Sequence, residues 1–360
     1  PDPDLMDNAA VKLWLYKAET IMRAIFNASN LYNMAPQMIG ELLLFATGCM
    51  SHVDDFQDVA RFYTHTVGSY LLAQNDRLVV DTMARRVMRT VSQLVGEFGL
   101  KNVSQSVRTA YDNGNYDLWF PMVQFIEPNP DANPNSPLSR HMSWRSVKYE
   151  PGNADKDQFL KQSGFPVFPA YCPRWETTDG DIYGTDCPGM TALGDIHGLQ
   201  IEERRKAQAI DKMVSPVMKG PASLKNVPFN NLPGGMTIYD SDATREGISP
   251  AYTVNPQIQE LRLDMKAIED RLDAAFYVDM FLAISNMDGI QPKNQLELTQ
   301  RNQERLLQLG PALEQFHGEF LNPLIDRTFT DCVRHGLFPP APPELQWSHL
   351  KVNYISTLAM

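Results

Sequence analysis

Several kinds of chemistry are missing from this sequence. Its four cysteines, Cys49, Cys172, Cys187 and Cys332, are widely spaced and form no CxxC. Free thiols in a reducing cytoplasm fit that spacing, with a disulfide pair as the other reading. The longest apolar run, IGELLLFATGCM at 39–50, is too short to span a bilayer, and no stretch of this sequence reads as a signal peptide. No GxxxxGK[ST] occurs, which excludes a P-loop ATPase, and GxSxG and HExxH are also absent. The seven histidines (His52, His65, His141, His197, His317, His335 and His349) make no ligand pair at i, i+3 or i+4. Each reads as a surface or hydrogen-bonded structural side chain. DGDIYGTD at 179–186 begins like a calcium loop but has Tyr183 and Met190 where acids are needed, so it reads as a turn-rich connector. No catalytic residue, metal site or cofactor is expected. Positive charge is also scarce. A formal net charge of −11 argues against a surface that grips nucleic acid non-specifically over most of its area. It leaves room for one that lets nucleic acid slide past.

What is present is an ordinary globular mix, 43% apolar and 21% charged over 360 residues. That length suits two or three domains, or one elongated one. The 26 prolines exceed the usual share and cluster in loops such as PNPDANPNSP at 128–137. The chain starts at Pro1 without a methionine and stops at Met360 without a terminating pattern. It reads as a piece of a longer protein.

Along the chain, residues 8–46 read as two helices, the first with Val11, Leu15, Ala18, Ile21 and Met22 at helical spacing. From Cys49 to about Thr90, short β-branched and aromatic runs predict antiparallel strands. VSQLVGEFG at 91–99 predicts a short helix ending at its glycine. WFPMVQFIEP and SWRSVKYEP predict strands, and FPVFPAYCPRWETTDGDIYG is irregular. Residues 190–218 then turn helical, with Leu193, Ile196, Ile210, Val214 and Val217 near a and d positions of a heptad. The charged band Glu202 to Lys206 in that helix is either a solvated face or one turned to a neighbouring subunit. A Gly/Pro/Asn-rich excursion of short strands and turns follows. Asn255-Pro256 opens a second helix whose apolar set is Ile258, Leu261, Met265, Ile268, Leu272 and Ala275, a coiled-coil spacing. A generic helical hairpin would show the same seam. SNMDGIQPKNQ at 285–295 is a polar loop that could be a simple surface turn. The run LGPALEQFHGEFLNPLIDRTFTDCVRHGLFPPAPPEL at 309–345 predicts a helix broken at Gly310-Pro311 and fenced by Pro339, Pro340, Pro342 and Pro343.

The order of these parts, with several local runs, resembles the portal proteins (head-to-tail connectors) of short-tailed double-stranded-DNA bacteriophages. The runs are NAAVKLWLYKAETIMRAIFNASNLYNMAPQMIGELLLFATGCM, TVSQLVGEFG, DNGNYDLWFPMVQFIEPNPDAN, PRWETTDGDIYGTDCPGMTALGDIHGLQ and ELTQRNQERLLQLGPALEQFHGEFLNPLIDRTFTDCVRHGLFPPAPPEL. Each alone is weak, but their number and order cover nearly the whole chain. One departure is that Asn294-Gln295-Leu296 precedes Glu297, where the family usually has Thr-Ala.

The resemblance implies an α+β, portal-type subunit with a strand-containing wing (1–189), a first stem helix (190–218) and a small strand-like clip insert (219–252). A second stem helix (253–285), a tunnel loop (286–296), a kinked helix region running crown-ward (297–338) and the truncated start of a crown (339–360) would follow. It implies a ring of twelve subunits forming a DNA channel at one capsid vertex, in a virion assembled in the host cytoplasm. Its partners would be further copies of itself, a packaging terminase, tail adaptor proteins, major capsid and scaffolding proteins, and double-stranded DNA passing without sequence specificity. No membrane is involved. Gln291, Lys293, Asn294 and Gln295 would be DNA-facing residues of the tunnel loop. Glu260, Asp264 and Arg271 would face the channel from the stem, where acids outnumber bases. Lys225, Phe229, Tyr239 and Arg245 would contact partners from the clip. The alternative is another structural ring or adaptor protein of the head–tail junction.

Overall fold

The computed structural model describes residues 8–55, 57–152, 159–219, 249–250, 258–278 and 310–345. The chain divides into two compact units. One comprises Pro1–Met190 with Ala283–Met360, and the other is Thr191–Leu282.

The first unit opens with helices α1 (Ala9–Ala28) and α2 (Leu31–Phe45). Asn8 caps α1 by accepting a hydrogen bond from the Ala10 amide at 2.9 Å, as an N-cap asparagine does. Its buried stripe is Val11, Trp14, Ala18, Met22 and Ile25, close to the face expected from spacing. Strands β1 (Met50–Asp55), β2 (Val59–Thr64), β3 (Tyr70–Gln74) and β4 (Val80–Thr90) follow. Helices α3 (Val91–Phe98) and α4 (Gln105–Asp112) lead to β5 (Trp119–Pro128), β6 (Trp144–Tyr149), β7 (Lys161–Phe165) and the short β8 (Ala170–Tyr171). Every pairing is antiparallel. One sheet has the order β2-β1-β8 and the other β3-β4-β5-β6-β7. The architecture is therefore α+β, as expected.

Side chains tie these layers together. Asn30, between α1 and α2, donates to the Phe62 carbonyl and accepts from the Phe62 amide, at 2.7 and 2.8 Å. It serves the β2 edge as a strand would. Thr90 and Gln93 form a capping box at the start of α3. α3, α4 and the connection between them then bury Val91, Leu94, Phe98, Val103 and Val107 against Met122 of β5. Gly184 shows why a glycine stands in the 179–186 connector: a Cβ there would lie 2.0 Å from the Ala46 carbonyl oxygen. Its amide donates to the Thr47 hydroxyl at 2.8 Å.

In the second unit, α5 (Leu193–Val214) and α6 (Ile258–Ala275) pack as a helical pair. β9 (Met218–Lys219) pairs with β10 (Ser249–Pro250) and brings the two ends of the intervening insert together. α5 stops at Val214 rather than running to 218, because Pro216 forces Ser215 out of helical geometry.

The chain returns to the first unit in α7 (Gly310–Phe316) and α8 (Asn322–Arg334), joined through a single π-helical turn, His317–Leu321. Pro323 explains that turn. It has no N–H and its ring would strike the Glu319 carbonyl in a regular α-helix. The wider turn absorbs the defect, and the Asn322 amide bonds back to the His317 carbonyl. Phe320 and Leu324 enter the largest core cluster, with Met38, Met50, Phe62 and Tyr171. The proline fence does not end α8. Gly336, at φ 65, ends it in a left-handed cap: the Leu337 amide bonds to the Cys332 carbonyl, and that of Gly336 to Val333. The prolines come later, where Trp14 Nε1 donates to the Pro339 carbonyl at 2.9 Å.

Candidate functional site

The helical pair of the second unit carries the stem residues singled out from sequence. On α6, Met265 and Ile268 are buried and Leu261, Leu272 and Ala275 partly so, which agrees with the expected seam. The opposite holds for α5, where no residue is buried. Of its heptad positions, Leu193 and Val214 are 65% and 76% exposed and Ile210 is exposed as well, while Ile196 is partly covered; Val217, beyond the helix, is also exposed. The positions of α5 that are partly covered include Asp195, Ile196, Leu199, Glu202, Lys206 and Ala209. Most of the expected apolar seam of α5, Leu193, Ile210 and Val214, is thus left exposed, and a more polar stripe that keeps Ile196 is partly covered instead. Asp195 meets Arg271 of α6 through two hydrogen bonds, Nη2 to Oδ1 at 2.9 Å and Nε to Oδ2 at 3.3 Å. That guanidinium holds the Asp195 carboxyl below its ordinary range.

Glu260 and Asp264 are exposed on α6, on the same flank of the helix as Arg271. Arg271 is therefore committed in part to the hairpin, while the two acids lie on the surface of the unit. The tunnel-loop residues Gln291, Lys293, Asn294 and Gln295 lie outside the described residues. So do the clip residues Lys225, Phe229, Tyr239 and Arg245.

The first unit holds two buried charge centres that sequence patterning does not reveal. Arg174, 4% exposed, meets Glu319 of the π turn through its backbone amide at 2.8 Å and through its guanidinium, Nε at 2.9 Å and Nη2. The same guanidinium donates to the Gln74 side chain at 3.0 Å and to the Leu78 carbonyl at 2.8 Å. It joins β3, the β3–β4 turn, the 170–184 segment and the π turn. The second centre lies between β1, β8 and α8. His52 Nδ1 and the Tyr171 hydroxyl are 2.7 Å apart, and His52 Nε2 is 4.0 Å from the Asp331 carboxylate. Asp331 is flanked by Arg327 at 3.6 Å and Arg334 at 3.2 Å. Burial and the nearby Arg327 hold the His52 imidazole down to about 2, so it is neutral. Burial raises the Asp331 carboxyl, with Arg327 opposing. His52 and His65 thus take the hydrogen-bonded structural role expected of them. The one available signal for the first centre was that Arg174 and Glu319 lie in runs that carry the family resemblance.

Among the described residues, no group of three or more His, Cys, Asp or Glu side chains could hold a metal ion. No helix among them is long and apolar enough to cross a membrane.

Comparison with known proteins supplies the family. The chain is 42% identical over 359 residues to the "Portal protein" of Salmonella phage epsilon15, covering 100% of this chain and 64% of that protein. It is 40% identical over 358 residues to the "Probable portal protein" of Bordetella phage BPP-1, covering 99% of this chain and 64% of that protein. The chain therefore spans 64% of the length of these two curated relatives. A family model described as bacteriophage head to tail connecting protein matches residues 1–360, and the chain belongs to that family.

Proposed function

We propose that this chain is the central part of a portal subunit, which forms a ring-shaped DNA channel at one capsid vertex. Through that channel the genome is packaged and later ejected. The observation that carries the reading is the match over the full chain to the head-to-tail connecting family, together with two relatives named as portal proteins.

Two features of the second unit support it. A helix that leaves Leu193, Ile210 and Val214 exposed has an apolar stripe its own hairpin does not cover. A neighbouring subunit in a closed ring would cover it by a heterologous contact. The α6 helix carries five acids, Glu260, Asp264, Glu269, Asp270 and Asp273, against three bases, Arg262, Lys266 and Arg271. An acidic wall repels phosphate and keeps a duplex centred, while a few cations give weak, transient contacts.

In this reading the pair α5 and α6 is the stem, and the insert between β9 and β10 is the clip. Lys225, Phe229, Tyr239 and Arg245 of the insert meet the packaging terminase and then the tail adaptor. Gln291, Lys293, Asn294 and Gln295 reach toward DNA. The subunit works in the virion without enzymatic chemistry of its own, surrounded by capsid and scaffolding proteins and by eleven further copies of itself. Negative-stain imaging of the full-length protein tests this. Closed rings with a central hole are expected, and a preparation that stays monomeric at high concentration would overturn it.

A further inference from the structure

β1 continues backwards from Met50 in the same antiparallel register with the segment after β8. Met50 pairs with Tyr171, and Thr47 bridges Arg174. The Gly48 amide donates to the Pro173 carbonyl at 2.9 Å, so the 48–173 pair is the hydrogen-bonded one. Cys49 and Cys172 therefore face each other as a non-hydrogen-bonded pair. The Cα atoms of such a pair stand about 4.5 Å apart, inside the roughly 4.4–6.8 Å that a disulfide spans. Their side chains point to the same side of the sheet, and the two Sγ atoms are 3.6 Å apart. Met83 Sδ lies 3.7 Å from Cys49 Sγ.

Both thiols are buried, but their surroundings differ. Cys49 is fully enclosed. Cys172 lines a cleft of about 540 Å³ that also borders Val80, Phe168, Glu319 and Pro323. A molecule the size of water can enter such a space and approach the pair from the Cys172 side.

We propose that Cys49 and Cys172 form an oxidisable cross-strand dithiol, a modification site that hydrogen peroxide converts to a disulfide. The Cys172 sulfur attacks one peroxide oxygen. The oxygen–oxygen bond breaks, water leaves, and a sulfenic acid remains. The Cys49 sulfur then attacks the Cys172 sulfur and expels a second water. The two thiols lose two electrons and both protons, and the peroxide is reduced to two waters. The Cys172 thiol is held well above its ordinary range, chiefly by its hydrogen bond with Cys49 and by burial. Little thiolate is present at neutral pH, so the step is slow, on the order of hours. The bond would fasten β1 to the segment that delivers Arg174 to Glu319. The site does not depend on the portal reading; it would be present in this fold whatever the ring does.

The test uses the whole chain, purified under reductant, freed of it, and exposed to hydrogen peroxide for several hours. Thiols are then alkylated in denaturant and the protein is mapped by mass spectrometry. All four cysteines begin as free thiols. The expected result is loss of two alkylatable thiols per chain, a linked peptide pair carrying Cys49 and Cys172, and full reversal by dithiothreitol. A Cys187→Ser, Cys332→Ser double variant keeps the product, and Cys172→Ser abolishes it. Should a variant fold poorly, the peptide map of the unaltered chain decides alone. Four thiols still alkylatable, Cys172 driven to sulfinic acid without a bond, or linkages only to Cys187, Cys332 or another chain would overturn the proposal.

Discussion

Arg174 and Glu319 are separated by 145 positions in sequence, yet one carboxylate and one guanidinium hold the π turn to the 170–184 segment and to β3 and its turn. A largely buried carboxylate that loses its guanidinium keeps its desolvation cost without the compensating attraction. Arg174→Ala leaves the Glu319 carboxylate without its cation, keeping only the bond from the residue-174 backbone amide, and removes the bonds to Gln74 and Leu78 as well. It is expected to cost about 3–5 kcal/mol, read as a fall in the urea midpoint at unchanged slope. A loss within 0.5 kcal/mol, the size of an ordinary surface change, would show that this centre is not structural. The imidazoles act through pH instead. His52 lies beside Tyr171, Asp331 and Arg327 and is held down to about 2, and His65 lies beside Ser51 and Arg85 and is held down to about 4. Both folded values lie below the unfolded value of about 6.5. Acid therefore protonates the unfolded chain first. The stability these groups contribute is complete above pH ~6.5. It falls as pH drops, down to about 4 for His65 and about 2 for His52, at roughly 1.4 kcal/mol per pH unit for each. Urea midpoints measured from pH 7 to pH 4.5 should decline, and His65→Gln should flatten the slope. An unchanged slope in that variant would contradict the assignment.

The helices differ in how far each one is complete by itself. α1 and α3 have caps and a buried stripe within one fold unit. α6 has its seam filled by Met265 and Ile268. Ile268→Pro removes an amide from the middle of that helix and sets its ring against the carbonyl of Asp264. It should cost about 3 kcal/mol or more and lower the helical circular-dichroism signal. A spectrum and stability equal to the parent would mean that α6 is not a regular helix in solution. α5, by contrast, keeps Leu193, Ile210 and Val214 in the open. Leu193→Glu with Val214→Glu should leave the stability of the isolated chain within about 0.5 kcal/mol, since neither side chain is buried. The same pair of changes in the full-length protein should prevent ring closure, seen by native mass spectrometry. Rings formed normally by that variant would remove α5 from the subunit interface.

For the assembled particle, charge repeated by symmetry counts for more than charge in one subunit. The chain carries 43 acids against 32 bases, so a ring multiplies an existing excess of negative charge. Lys293 is the one cation of the SNMDGIQPKNQ run. If the loop faces DNA as proposed, Lys293→Glu replaces one weak phosphate contact per subunit with a repulsive charge. Heads carrying it are expected to assemble but to package or retain less DNA, most visibly at low salt, where screening is weakest. Equal filling at low salt would show that this loop does not face DNA.

The α+β class came with the family resemblance, while local pattern was enough to read the two opening helices, the strands from β1 to β6 and the seam of α6. Each depends on short-range rules: the 3.6-residue period of a helix, the alternation of a strand, a cap at its end. Helix α4 and strand β7 escaped that reading. α4 has two buried residues, Val107 and Ala110, and β7 is the polar run KQSGF, so neither has enough periodicity to stand out. Local pattern also marked Leu193, Ile210 and Val214 as apolar positions of a heptad. It could not say which way they face, because periodicity defines a stripe and leaves its partner open. Folding left that stripe exposed and put Asp195, Glu202 and Lys206 on the partly covered side. Gly336, and not the proline cluster, stops α8, since a left-handed residue can satisfy two helix-end carbonyls and a later proline cannot. The same limit hid Arg174 with Glu319, His52 with Asp331, and Cys49 with Cys172. Each pair is made by chain segments more than a hundred residues apart, and only packing of sheet on helix, or strand on strand, removes the water that separates them.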